Sequence, residues 1–163
     1  SSLPKVYGGF NTSLSWKGFD LSAIFAYSIG GYIYNRDITM ILHNGSLEGR
    51  DWSTEILKRW TPDNRNTDVP ALSTTTNNWN SASTRFLQNN SYMRLKNLTL
   101  SYNLPKQWIS KLSLSSVQVY VQGDNLFTIH RNQGLDPEQG ITGITYYRYP
   151  AMRTISGGIN VSF

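Results

Sequence analysis

The sequence contains no cysteine, which removes disulfide frameworks, thiolate zinc sites and cysteine nucleophiles from consideration. Histidine is nearly absent too. His43 and His130 lie far apart, without paired-ligand spacing, and read as loop residues. No apolar run approaches the roughly 20 residues of a membrane-spanning helix, and Ser1-Ser2-Leu3-Pro4-Lys5 lacks the apolar core of a signal peptide. Charge is sparse, at 15% of residues, and the net +5 is dispersed. Arg36, Arg50, Lys58, Arg59, Arg65, Arg131 and Arg148 are scattered among acids and form no stripe that would follow a phosphate backbone, so nucleic acid is not an expected partner. Nucleophile motifs of the G-x-S-x-G kind and glycine-rich phosphate loops are also missing, so the sequence points to no enzyme and no cofactor.

What the chain does have is aromatic and alternating. Of 163 residues, 39% are hydrophobic and 13% aromatic, with 10 Tyr and 5 Trp, which is not the composition of a disordered chain. In the final stretch, Thr154 to Phe163, Ile155, Gly157, Ile159, Val161 and Phe163 fall on one side of an extended strand, and Ser, Asn, Gly and Thr fall on the other. Four further segments alternate in the same way. Residues 7–16 and 19–28 flank Lys17-Gly18, a two-residue hairpin connection. That turn fixes the register and opposes Trp16 to Phe19, Leu14 to Leu21, Thr12 to Ala23, Phe10 to Phe25 and Gly8 to Tyr27. One face of the hairpin is therefore almost wholly apolar, with the Tyr27 ring covering the bare Gly8 backbone. The opposite face carries Ser15, Ser13, Asn11 and Gly9 against Asp20, Ser22, Ile24 and Ala26.

The third strand spans residues 92–104 and the fourth 115–127. Met93 and Leu95 are out of parity with Leu98, Leu100, Tyr102 and Leu104, so a bulge is expected near Lys96. Connections alternate in length. The segment 105–114 is short and has room for a helical turn at Lys106 to Lys111, whereas 29–91 and 128–153 are long loops. Over residues 6–16, 19–29, 92–104, 112–123 and 154–163 the charged residues are Asp20, Arg94 and Lys96 alone, where the chain average would put about nine. Strands of about ten residues, a polar face of Ser, Asn, Gln, Thr and Gly, and short turns alternating with long loops are the pattern of an outer-membrane β-barrel. Trp16, Phe19, Tyr102 and Phe163 share the apolar parity at the short-turn end, as an interfacial girdle would. On the strand pattern alone, the same aromatics also suit the core of a soluble β-sandwich. Five strands do not close a barrel, so the expectation is a segment of a longer polypeptide, or a barrel shared between short chains as a passive or structural assembly.

Candidate sites are few. Asp136 and Glu138 in "GLDPEQG" have the composition of a calcium or acid/base pair, but Asp-Pro opens turns and the turn is the simpler reading. "DNRNTD", Asp63 to Asp68, lacks the glycine and distal glutamate of a calcium loop. In the first long loop, Trp52, Trp60 and Trp79, with Tyr32 and Tyr34, are candidates to stack on substrate rings or contact a covering partner. Packing is the plainer role, because Trp52, Ile56 and Trp60 share one face of a short helix at i, i+4 and i+8.

The stretches "SSLPKVYGGFNTSLSWKGFDLSAIFAYSIGG", "WSTEILKRWTPD", "FLQNNSYMRLKNLTLSYNLP", "VQVYVQGDNLFTI", "GLDPEQG" and "YPAMRTISGGINVSF" together resemble the C-terminal end of the SusC/RagA family of TonB-dependent outer-membrane transporters of Bacteroidetes. The resemblance covers nearly the whole chain in order, and it implies an all-β fold: the last five antiparallel strands of a 22-stranded transmembrane barrel, with long extracellular loops containing short helical turns. It further implies a role in import of glycans or peptides, in which this segment supplies wall and loops. The implied partners are the N-terminal barrel strands and plug of the same transporter, a SusD-like surface lipoprotein, TonB through the missing N-terminal part, and membrane lipid and lipopolysaccharide. Phe163 would match the aromatic terminal signal read by the barrel-assembly machinery.

Overall fold

The computed structural model describes residues 1–43, 47–73, 75, 81–112, 114–132, 134–138, 140, 142–145 and 147–163. In chain order the strands are β1 Val6–Trp16, β2 Phe19–Ile29, β3 Tyr32–Asn35, β4 Leu87–Asn89, β5 Tyr92–Asn103, β6 Ser116–His130, β7 Ile144–Thr145 and β8 Thr154–Ser162. The helices α1 and α2 cover Arg36–Ile41 and Lys106–Ile109. The long strands form one antiparallel sheet in the order β1-β2-β5-β6-β8, and β4, β3 and β7 form a separate small sheet.

The β1–β2 hairpin has the expected register, from Val6 opposite Ile29 to Trp16 opposite Phe19. Its turn works because Lys17 and Gly18 both take positive φ, 47° and 88°, which matches the right-handed twist of the flanking strands. The Tyr27 hydroxyl would lie 2.9 Å from a Cβ added at Gly8, so the ring lies over that glycine as the pairing requires. The bulge also appears where parity broke: against β2 and against β6 the register shifts between Leu95 and Asn97. On β6 the compensating kink is at Asn125, φ 53°.

One face of the sheet carries Phe10, Leu14, Phe19, Leu21, Leu100, Val119, Val121, Ile155, Ile159 and Val161, all solvent-exposed, with Leu14 at 66% and Ile155 at 72%. A sandwich would bury these rows against a second sheet; here they are uncovered. The other face is a hydrogen-bonded polar surface. Asp20 accepts from Ser15 and Asn103, Asn97 donates to Asp124, and Ser101, Gln118 and Asn160 link across β5, β6 and β8. β6 runs on to His130, three residues past the expected end, so His130 is a strand residue, not a loop residue. The reason is that the Asn125 kink restores pairing beyond it, Leu95 with Phe127 through Tyr92 with His130.

The long loops contain more order than short helical turns. β3 pairs with β4 antiparallel and with β7 in parallel, joining segments from both loops. Around this small sheet Ile33, Phe86, Asn35, His43 and Thr145 are almost completely buried. The Asn35 side chain caps α1 by accepting from Ile38 N–H. The helix expected across Trp52, Ile56 and Trp60 is instead one 3-10 turn at Thr54–Lys58. The turn is too short to include either tryptophan, and Ser53 and Arg59 flank it with extended ψ of 143° and 153°, so Ile56 is buried with Val69 while Trp52 and Trp60 stay about two-fifths exposed. The helical turn expected at Lys106 to Lys111 is present as α2 followed by a 3-10 turn at Ser110–Leu112.

Candidate functional site

The polar face carries its densest chemistry where the bulge in β5 brings Arg94, Lys96 and Asn97 close together. Arg94, only 3% exposed, donates from Nε to Thr128 Oγ1 at 2.9 Å, from Nη1 to Glu138 Oε2 at 2.8 Å and from Nη2 to Asp136 Oδ1 at 2.5 Å. Lys96 Nζ reaches both oxygens of Glu138. The acids come from the loop after β6, which turns back over the sheet.

Asp136 shapes that return. Its Oδ1 accepts from Glu138 N–H at 2.8 Å, the side-chain turn expected of Asp-Pro, and its Oδ2 accepts from Ala151 N–H at 2.6 Å. One carboxylate therefore ties the outgoing arm, the returning arm and the wall together. Burial alone would raise its pKa, but the N–H groups of Ala151 and Glu138 and the Arg94 guanidinium outweigh burial, and the net shift is below the ordinary carboxylate value. Two cations face two anions, so the cluster is formally neutral and every member is engaged. This is a brace. Sequence reading took Asp136 and Glu138 as a turn, which they are; their ion pairs with Arg94 and Lys96 went unforeseen. Among the described residues no group of His, Cys, Asp and Glu is arranged to hold a metal. His43 is fully buried, its Nδ1 accepting from Leu47 N–H at 3.4 Å and its ring edge-on to Trp52 at 5.4 Å. His130 closes on the Asn132 carbonyl at 2.8 Å.

At the short-turn end the structure brings three of the named aromatics into one row. Trp16 pairs with Phe19 and Phe19 with Tyr102, the last two rings 4.5 Å apart, and Lys17 Nζ lies 4.9 Å from the Trp16 ring. Trp108, on α2, is 63% exposed at the same end and was not singled out in the sequence. Phe163 follows β8 and is 94% exposed. In the first long loop, Trp60 N–H donates to the Val69 carbonyl, and Trp79 lies outside the described residues.

A sheet with one uncovered apolar face, one hydrogen-bonded polar face and open edges at β1 and β8 defines a segment of transmembrane β-barrel wall. No protein-family model matches the chain. It is 35% identical over 171 residues to TonB-dependent receptor P3 of Formosa agariphila, covering 98% of this chain and 16% of that protein. It is 31% identical to TonB-dependent receptor P26 of the same organism, covering 100% of this chain and 17% of the relative. TonB-dependent receptor SusC of Bacteroides thetaiotaomicron is 27% identical over 159 residues, 97% of this chain and 15% of that protein. Among solved structures, the RagAB peptide importer in its open-open state superposes with a TM-score of 0.87 at 35% identity, over 100% of this chain and 18% of that one. Over its whole length the chain is similar to part of these TonB-dependent receptors and of the RagAB peptide importer. It spans less than a fifth of the length of the relatives it matches.

Proposed function

We propose that this chain forms the last five strands and two extracellular loops of a SusC-like, TonB-dependent outer-membrane importer of glycans or peptides. The observation that carries the reading is the sorting of charge. Asp20, Arg94, Lys96 and Asp124 are the charged residues of the five long strands, and their recorded partners all lie on the polar face, while the apolar face is uncovered and uncharged. Such a wall needs lipid on one side and a wet interior on the other.

In this reading, Trp16, Phe19 and Tyr102, joined by Trp108, form the periplasmic girdle, and Phe163 is the assembly signal. The free edges of β1 and β8 pair with strands elsewhere in the same polypeptide, which also supplies the plug and the contact to TonB. A SusD-like lipoprotein covers the loops, where Trp52 and Trp60 are exposed for contact with partner or cargo. Energised uptake by cells carrying the intact receptor tests this. Uptake should stop when the proton-motive force is collapsed, and deleting Phe163 should lower the amount of assembled barrel. Uptake that persists unchanged without energy would instead establish a passive barrel.

A further inference from the structure

At the loop end of the apolar face, the last paired row is Tyr27–Met93–Ile129, carried by β2, β5 and β6. Two residues further toward the loops come Ile29, Ser91 and Arg131. Serine is the smallest of these, so the surface drops over β5 and leaves a groove of about 250 Å³, whose lining includes Ile29, Ser91, Met93, Ile129 and Arg131. β5 is the central strand of the five, with β2 and β6 on either side. Both walls of the groove therefore belong to this chain, and no sheet edge opens it. Ser91 Oγ accepts from Gly30 N–H at 2.9 Å, which leaves its hydroxyl hydrogen to be donated. Arg131 is exposed and, among the described residues, makes no ion pair. Asp136 and Glu138, a few residues on, are held on the opposite face by Arg94 and Lys96.

Height and charge together restrict what fits. From Phe19 to Ile29 the wall rises about 25 Å, at about 3.3 Å per residue and about 40° of tilt, which is the height of the apolar band. Arg131 thus stands at the outer boundary of the band, with aliphatic walls below it and water above. A free phosphate would meet Arg131 and Ser91 but leave the apolar groove empty. An uncharged lipid would fill the groove and leave the guanidinium without a counter-ion. An amphiphile with an acyl chain and an anionic head meets both, and in the outer leaflet of an outer membrane that molecule is the phosphorylated glycolipid, lipid A. We propose that this groove is a lipid A site, with one acyl chain along Ile29, Met93 and Ile129 and a phosphate taken by Arg131 and Ser91. This deepens the barrel-wall reading and rests on it for which face meets lipid.

The test is native mass spectrometry of the intact receptor, delipidated in detergent and titrated with monophosphoryl lipid A. Parallel titrations use the same glycolipid after enzymatic removal of its phosphate, and phosphatidylglycerol. The native receptor binds lipid A more tightly than either. Arg131→Ala weakens lipid A binding about 5-fold, the effect of one cation beside an anionic lipid head, and leaves the dephosphorylated form unchanged. Arg131→Lys keeps most of the binding, and Lys106→Ala, at the short-turn end, changes nothing. The proposal is overturned if Arg131→Ala binds lipid A as the native receptor does, or if Lys106→Ala weakens it equally. It is also overturned if the dephosphorylated glycolipid binds as tightly as lipid A, or if phosphatidylglycerol does so with the same dependence on Arg131. Energised uptake is scored separately. Its loss with Arg131-dependent binding intact removes the importer reading alone, and its presence with binding indifferent to Arg131 removes the lipid site alone.

Discussion

Val121→Arg tests which way the sheet faces. Val121 sits on the apolar face of β6 between Leu100 and Gly157 and is 48% exposed. The apolar rows extend from Phe19–Tyr102–Val119–Ile159 near the short turns to Tyr27–Met93–Ile129 near the loops. At about 3.3 Å per residue and about 40° of tilt, the rise from Phe19 to Tyr27 spans about 20 Å, close to the ~25 Å apolar band of an outer-membrane barrel. Val121 lies one row from the middle of that band, the row of Ala23, Leu98, Gly123 and Ile155. Arginine costs about 2–4 kcal/mol at the midplane and about 0–1 near the interfaces, so about 2–3 kcal/mol is expected here. Because the valine is already half uncovered, lost packing adds little. The penalty corresponds to about a 30- to 150-fold drop in the folding equilibrium. Its neighbour Gln122 faces the other way, within reach of Asp124, and Gln122→Arg should cost less than about 1 kcal/mol. The assay is a guanidinium titration of the intact receptor folded into lipid vesicles, followed by tryptophan fluorescence. Equal penalties at the two positions, or a larger one at Gln122, would refute the assignment of lipid to the aliphatic face.

The brace yields two further expectations. Arg94→Met removes the cation from a carboxylate whose side chain is 8% exposed, and stranding a buried charge costs about 3–5 kcal/mol, less here because Glu138 keeps Lys96. Trypsin should then cut at Arg148 and Arg153 in the intact receptor while the strands stay protected, and Asp136→Asn added to Arg94→Met should recover part of the loss; a loop that remains resistant would argue against a brace. The second expectation concerns pH. The folded-state pKa of Asp136 is depressed, so its contribution is fully present above the unfolded carboxylate value of about 4 and is lost only as pH falls through the lower folded value. Hydrogen exchange at the Ala151 and Glu138 amides should therefore show no loosening between pH 7 and pH 5 and a loosening below about 4 that Asp136→Asn abolishes; loosening already complete by pH 5 would count against it.

Much of the sheet was legible because its determinants are local. Lys17-Gly18 sets the first hairpin without reference to anything distant, and once Trp16 faces Phe19 the parity of every residue back to Val6 follows. The small sheet was not legible. β3, β4 and β7 are four, three and two residues long, too short to show a period, and they meet only because the long strands bring both loops to the same end. The tryptophans misled for a related reason: an i, i+4, i+8 pattern signals a helix only if the helix runs through all three positions, and Thr54–Lys58 stops short of both Trp52 and Trp60.

The brace was hidden by distance, since Arg94 and Asp136 are 42 residues apart and Asp-Pro explained itself as a turn. Yet a signal was present. In strands that admit almost no charge, two cations side by side at a break in parity need anions, and the return loop supplies Asp136 and Glu138 two residues apart. The bulge is what makes the match possible. Regular alternation would put Asn97 on the apolar side, yet with the extra residue Asn97 Nδ2 donates to Asp124 on the polar face at 2.7 Å, while Arg94 and Lys96 reach the loop. The irregularity that blurs the pattern of β5 is thus what lets one strand hold both the wall and the loop above it.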